Sequence, residues 1–335
     1  MVVWYCSLSK KLGLIGTTIG TIVCVAAPLL AQEPDEPARL LPPRTAFRQL
    51  ENASATFSYV LNFPPENPIV IEIHDSAGML VAKLRADNLQ PGLNRIDWDL
   101  RWQPPLAVAL RTTPAENPHI WEEPRFQGSA TRPVAHKGIE QAMLGPIAAP
   151  GRYSVELHWD DKTYMQPLEI ALPPNSHGTD SDVQASVRLQ LRIRDDVNAA
   201  ARMTNAIEVL RKQIEDERKV SAAPALDTVD RKLQDVEFQL ISHSDALSDE
   251  KYDSEAARIY LNFLWLNLSL GSGTGNKYAG GADYAPTETA IAMVGDLETQ
   301  LHAVEAQYKE LMEVDVPGYN RAAPGLGLPP LRPTP

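Results

Sequence analysis

From Ala53 to about Leu172, apolar residues recur at every second position. "ATFSYVLNF" sets Phe57, Tyr59, Leu61 and Phe63 on one side, and "PIVIEIHD" does the same with Ile69, Ile71 and Ile73. "DSAG" (75–78) is a turn cluster leading into the partner strand "MLVAKLRA". In "GLNRIDWDLRW" (92–102), Ile96, Trp98 and Leu100 alternate with Asp97 and Asp99. "YSVELHW" opposes Tyr153, Val155, Leu157 and Trp159 to Ser154, Glu156 and His158, and "DDK" turns the chain into "TYMQPLEIAL". Short alternating strands between turns predict an antiparallel sheet with one wet face, closed most economically as an Ig-like β-sandwich over residues 50–172.

Between residues 103 and 150 the alternation stops. Apart from "LAVAL" (106–110), this insert is spaced by Pro114, Pro118, Pro124, Pro133 and Pro146. Loops this long are usually functional or poorly ordered. "PPNSHGTDSD" (173–182) forms the next linker, after which the period becomes helical.

Asp180 or Ser181 is placed to cap a helix running to about Lys219, with Ile193, Val197, Ala200, Ile207, Leu210 and Ile214 on one stripe. A second stripe is Leu226, Val229, Leu233, Val236 and Leu240. A third helix near 254–270, "LNFLWLNLSL" at its end, is apolar nearly all round. The fourth starts at Pro286-Thr287 and carries Ile291, Val294, Leu297, Leu301, Val304, Tyr308 and Leu311. Four such seams joined by short connections predict an antiparallel up-down four-helix bundle over 183–315, able to close its core without the sandwich. Residues 316–335, rich in proline and glycine, read as a disordered tail. The expected fold is therefore α+β in two parts.

The first residues change the picture of where the chain goes. Lys10 and Lys11 precede an uncharged run from Leu12 to Ala31, followed by the acidic "QEPDEP". A basic start, an apolar run and a small residue at its end describe a secretory signal over 1–31, with cleavage expected after Ala31 and a linker over 32–49. An uncleaved anchor is the alternative, because 20 uncharged residues can span a bilayer. Lipidation at Cys24 is a third reading, weakened by "TIVC", which has no small residue before the cysteine.

Both cysteines, Cys6 and Cys24, lie in this segment, so the mature chain is expected to have no disulfide. Loss of Lys10 and Lys11 takes the formal charge from −12 to −14. That acidity argues against nucleic acid and anionic membrane surfaces as partners, and no stable membrane insertion is expected after cleavage. The expected location is the periplasm or the cell exterior.

Candidate chemistry is sparse. "GSGTGNKY" (271–278) has Asn276 and Tyr278 where a phosphate-binding loop needs glycine and a hydroxyl residue around the lysine, and it follows a helix. Asp97 and Asp99 share one face of a strand, as acid–base or calcium-binding carboxylates would. Alternation alone also puts them in water. Histidines 74, 119, 136, 158, 177, 243 and 302 show no ligand spacing, and "HSD" (243–245) lacks a nucleophile-elbow context. No catalytic residue, metal site or cofactor is assigned. Trp102 and Trp121 flank the proline-rich insert, where exposed rings would stack on a sugar or dock a partner. Packing over the end of the sandwich is the plainer role.

"DSAGMLVAKLRADNLQPGLNRIDWDLR", "GPIAAPGRYSVELHWDDKTYMQPLEI" and "ADYAPT" (282–287) resemble the C-terminal region of bacterial exported proteins that carry sortilin-type (BNR-repeat) β-propellers. In those proteins an Ig-like domain similar to the flagellar-hook FlgD type precedes a helical segment. The resemblance spans residues 50–315 and rests on turns and a core tryptophan. Family members place a propeller of several hundred residues before this region, and here about 20 residues separate the signal from the sandwich. The hydrolase label common in that family belongs to the propeller and transfers to no residue here. The resemblance implies a non-enzymatic exported accessory module, partnering a β-propeller protein in trans. The alternative is a carbohydrate or cell-envelope binding module using Trp102 and Trp121. A glycoside hydrolase using Asp97 or Asp99 ranks below both.

Overall fold

The computed structural model describes residues 36–49, 53–87, 89–249, 251, 255–271 and 283–333. The expected signal at 1–31 lies outside them, as does the glycine-rich loop after Gly271. No helix among the described residues is long and apolar enough to cross a membrane.

Among the described residues, eight strands form two sheets. Strands β1 (Ala38–Leu40), β3 (Ala55–Leu61) and β6 (Gly92–Trp98) make an antiparallel sheet in the order β1-β3-β6. Strands β2 (Ala46–Phe47), β4 (Ile69–Asp75), β5 (Leu80–Ala86), β7 (Gly151–Trp159) and β8 (Lys162–Ala171) make the second sheet, in the order β2-β8-β7-β4-β5. It is antiparallel except where β2 runs parallel to β8. The inward residues of both sheets, among them Phe57, Tyr59, Ile71, Ile73, Trp98, Val155 and Leu157, share one buried cluster. The period-two faces thus fall as the alternation predicts.

The turns have local causes. Asp75 Oδ1 accepts from the amides of Ala77 and Met79, and Gly78 takes φ +79°, closing the β4–β5 hairpin. Two expected core residues behave differently. Phe63 lies beyond the end of β3 and is 51% exposed, its ring edge-on to Trp159 at 5.3 Å. Leu100 is buried but lies beyond β6 in a left-handed conformation, φ +57°.

Six α-helices follow among the described residues: α1 (Asp180–Glu217), α2 (Pro224–Leu240), α3 (His243–Ala246), α4 (Ile259–Ser269), α5 (Glu288–Glu310) and α6 (Val316–Ala322). The cap of α1 is Thr179 rather than Asp180 or Ser181. Its side chain accepts from the Asp182 amide while Asp182 accepts from the Thr179 amide. Helix α4 begins at Ile259, later than the expected start near 254, and the "HSD" segment forms a short helix of its own, boxed by Ser242 and Asp245. On α5, Val294, Leu297, Leu301 and Val304 are buried, whereas Ile291 is 47% exposed. Helix α1 packs against α2, α4 and α5.

Two boundaries differ from expectation. The helices do not close a core among themselves: Val108, Leu110, Val134, Ile139 and Ala142 of the insert share it, while Val183 and Val187 of α1 belong to the core of the sheets. The region beyond 316 is not a tail without a core either. A π-helical turn (Leu311–Asp315) carries α5 into α6, and Leu328 and Leu331 are buried against the helices. Its prolines and glycines shape this return, and its leucines hold it.

Residues Pro37–Pro335 accordingly make one compact unit. Arg48, just beyond β2, is a clasp across it. The buried guanidinium pairs with Asp283 at 3.0 Å and donates to the carbonyls of Ile147 and Ala148 at 2.6 and 3.1 Å. Burial lowers its pKa, against the pull of Asp283. Gly178 is in contact there too: a Cβ on it would sit 1.4 Å from the Asp283 carbonyl oxygen.

Candidate functional site

The insert is irregular but anchored. Its extended segment 106–113 runs along α1, which satisfies the segment's main chain with side chains. Asn198 Oδ1 accepts from the Leu106 amide at 2.6 Å, and Asn205 Oδ1 accepts from Ala109 at 2.7 Å while its Nδ2 donates to the Ala107 carbonyl at 3.1 Å. Glu208 accepts from the amides of Arg111 and Thr112 and from the Thr112 hydroxyl. Glu215 accepts from the Thr113 amide and hydroxyl at 2.8 and 3.1 Å.

Acceptors at 198, 205, 208 and 215 recur at spacings of seven and three and so lie on one helical stripe. Seventeen helical residues rise about 26 Å, and seven extended residues span about 23 Å, so the two ladders stay in step.

The insert then folds back. Leu110 and Arg132 exchange main-chain hydrogen bonds at 2.8 and 2.9 Å. The buried Arg132 side chain donates to the Thr112 carbonyl, the Ala246 carbonyl and the Ser248 hydroxyl. Burial brings its pKa down to about 10, opposed by Glu208 and Glu237. Its guanidinium carbon lies 5.7 Å from the centre of the Trp121 ring. Trp121 Nε1 donates to the Thr113 hydroxyl at 3.0 Å, which fixes the ring in the wall of a cavity of about 420 Å³. Arg111, Val209, Lys212 and Gln213 line it as well, with Ser129 and Ala130 at the rim. Gln213 is held by both main-chain groups of Arg332, so the C-terminal return stiffens the same wall.

The two tryptophans do not come together. Trp121 is half-buried at this cavity, whereas Trp102 is 5% exposed within the core of the sheets. The Arg194 guanidinium lies 5.7 Å from the Trp102 ring centre. Asp97 accepts from the Thr56 hydroxyl at 2.5 Å, and Asp99 accepts from the Arg101 amide at 3.1 Å. Both are exposed, as the alternation requires. Among the described residues, no group of three or more His, Cys, Asp or Glu side chains is arranged to hold a metal ion.

One cluster goes unannounced by the seams. Glu208 of α1 and Asp230 and Glu237 of α2 are buried around Arg211, which reaches Asp230 at 3.0 Å, Glu237 at 2.5 Å and Glu208 at 3.5 Å. Burial opposes the Arg211 charge, but the three carboxylates outweigh it and raise its pKa. Burial and the neighbouring Glu208 push the Glu237 carboxyl well above its ordinary value, with Arg211 opposing. The available signal was the pair Asp230 and Glu237, seven apart and each next to a seam residue.

No protein-family model, curated protein or solved structure matches the chain.

Proposed function

We propose that the chain is a non-enzymatic exported binding module whose working surface is the proline-rich insert and whose partner is a protein. In this reading residues 50–172 are an Ig-like sandwich, the helices an up-down antiparallel bundle, and the signal directs the chain to the periplasm or beyond. A propeller protein supplied in trans is the partner that the family resemblance favours.

The observation that carries the reading is the Trp121 cavity. A loop held through its main chain by four α1 side chains presents a fixed aromatic wall and an aliphatic floor at Val209, with Arg111 and Lys212 also lining the space. A cavity of about 420 Å³ falls within the range of ligand pockets, roughly 300–1,000 Å³, and suits one apolar anchor side chain. The same ring beside Gln213 and Arg111 also suits a sugar, which is the second reading.

A photo-crosslinking residue at Ser129, on the exposed rim, tests this in cells that export the protein. A discrete protein adduct that Trp121→Ala abolishes and Trp121→Phe retains is expected, with a cooperative thermal melt kept by both variants. An adduct indifferent to Trp121, or none, overturns the proposal. Retention on a glycan surface that Trp121→Ala abolishes transfers the site to carbohydrate.

A further inference from the structure

A second cavity, of about 470 Å³, shares no lining residue with the first. It exists because β1 ends early. After Leu40 pairs with Tyr59, Leu41 donates its amide to the Ser58 carbonyl at 2.9 Å, and then Pro42 and Pro43 follow. Neither proline has an N–H to continue the ladder, and the chain crosses to the other sheet as β2. Strand β3 continues to Ala55 with β6 on its other side alone.

Main-chain groups along a strand alternate between its two neighbours. Thr56 therefore points its N–H and C=O the way the Ser58 carbonyl points, into the space that β1 has left. Ser54, Thr56 and Ser58 line that space, and Pro42 and Pro43 border it.

The charge there runs against that of the molecule. The chain carries a formal −12, yet the two charged residues lining the cavity are Arg44 and Arg95. Both are exposed, and neither makes an ion pair among the described residues. Two guanidinium groups beside the β3 edge at Thr56, where β1 no longer pairs, suit the addition of a short acidic chain in extended conformation. The strand edge supplies main-chain hydrogen bonds, and the arginines take alternate carboxylates in fork-like pairs.

We propose that this cleft is a docking site for an acidic peptide segment of a partner protein, bound in extended conformation beside Ser54 and the first residues of β3, around Thr56, and held by Arg44 and Arg95. An acidic sugar would use the arginines but has no need of the strand edge.

Fluorescence anisotropy on the full exported chain tests this with a labelled Glu-Val-Glu-Val-Glu peptide. Saturable binding is expected, weakened about tenfold by Arg44→Ala and by Arg95→Ala, as loss of a charge-assisted contact should do. Both residues are exposed, and an unchanged thermal melt checks that each variant folds. N-methylation of the peptide backbone should weaken binding several-fold, and Trp121→Ala should leave it unchanged, so the two cavities stand or fall separately. The proposal is overturned if binding fails to saturate at millimolar peptide, or if the double arginine variant binds like the parent. It is overturned equally if N-methylation has no effect while trigalacturonate displaces the peptide, which would make the cleft a sugar-acid site.

Discussion

Beneath the two sheets the buried surface is aliphatic and aromatic, with Arg48 the buried charge among the described residues of 36–102 and 147–172. Beneath the helices and insert, Arg132, Glu208, Asp230, Glu237 and Asp245 are buried as well. The difference lies in what each core must specify. Alternating strands bury one face whatever their neighbours are, because the ladder satisfies the main chain. The insert has no ladder of its own, so α1 supplies the acceptors, and supplying them commits one carboxylate, Glu208, to the interior. Once buried, Glu208 needs Arg211 beside it, as do Asp230 and Glu237 of α2, because an unpaired buried charge costs far more than a paired one.

The largest effect should come from separating the parts. Residues 180–333 produced alone lose Val108, Leu110, Val134, Ile139 and Ala142 from their core and leave the α1 acceptor stripe without its strand. They are expected to show no cooperative thermal transition by circular dichroism, and residues 103–333 should recover one. A sharp melt of the shorter piece near that of the full chain would show that the helices need nothing from the insert.

Arg211→Met comes next. It strips the cation from three buried carboxylates and should cost at least about 3–5 kcal/mol near neutral pH, with part of the loss recovered as acid neutralises them. Urea denaturation at several pH values would read both. In the apolar core, Trp98→Ala should cost about 3–5 kcal/mol with no such pH dependence. Trp98 stacks at 6.4 Å on Phe57 and meets Tyr153 edge-on at 6.5 Å, so its loss empties the middle of the sheet core. If the two variants shared one pH profile, the contrast between the cores would fail.

Glu237→Gln sharpens the same contrast. A carboxyl whose pKa is raised on folding contributes stability that is fully present below its unfolded value and lost as pH rises through the folded one. In the parent this loss begins above the ordinary 4.5. The amide has no proton to lose, so the variant should gain stability relative to the parent as pH rises above the ordinary carboxyl range. A difference that is flat or reversed would mean that Glu237 is ionised in the folded chain. The smallest effects belong to Asp97→Asn and Asp99→Asn, each expected within about 0.5 kcal/mol in the same denaturation experiment.

The strands were legible because burial there is a local matter of odd and even positions: Ile69, Ile71 and Ile73 declare their face unaided. Four helical segments were legible from seams such as Leu226 to Leu240. The insert was not, because the groups that order its main chain stand 92 to 102 positions away on α1. The C-terminal return was hidden by its glycines and prolines, although Leu328 and Leu331 carried the signal. Trp121 was singled out from sequence as an aromatic beside an irregular segment. Its neighbours Val209 and Gln213 lie on α1, among a seam and its flank, where nothing marks them as cavity walls. Trp102, chosen on the same grounds, is a core residue: Gly145 packs against its carbonyl, with a Cβ there only 1.8 Å from that oxygen.

The clasp between Arg48 and Asp283 joins positions 235 apart. A chain made from its N-terminus presents Arg48 early, long before the ribosome has delivered its partner. Until then the guanidinium has the carbonyls of Ile147 and Ala148 to hold, and the counter-charge arrives only after α1, α2 and α4 have been made. Contacts of such sequence separation form late and slow the approach to the native state. The tie between the sheets and the helices is therefore expected among the last contacts to form, whichever part collapses first.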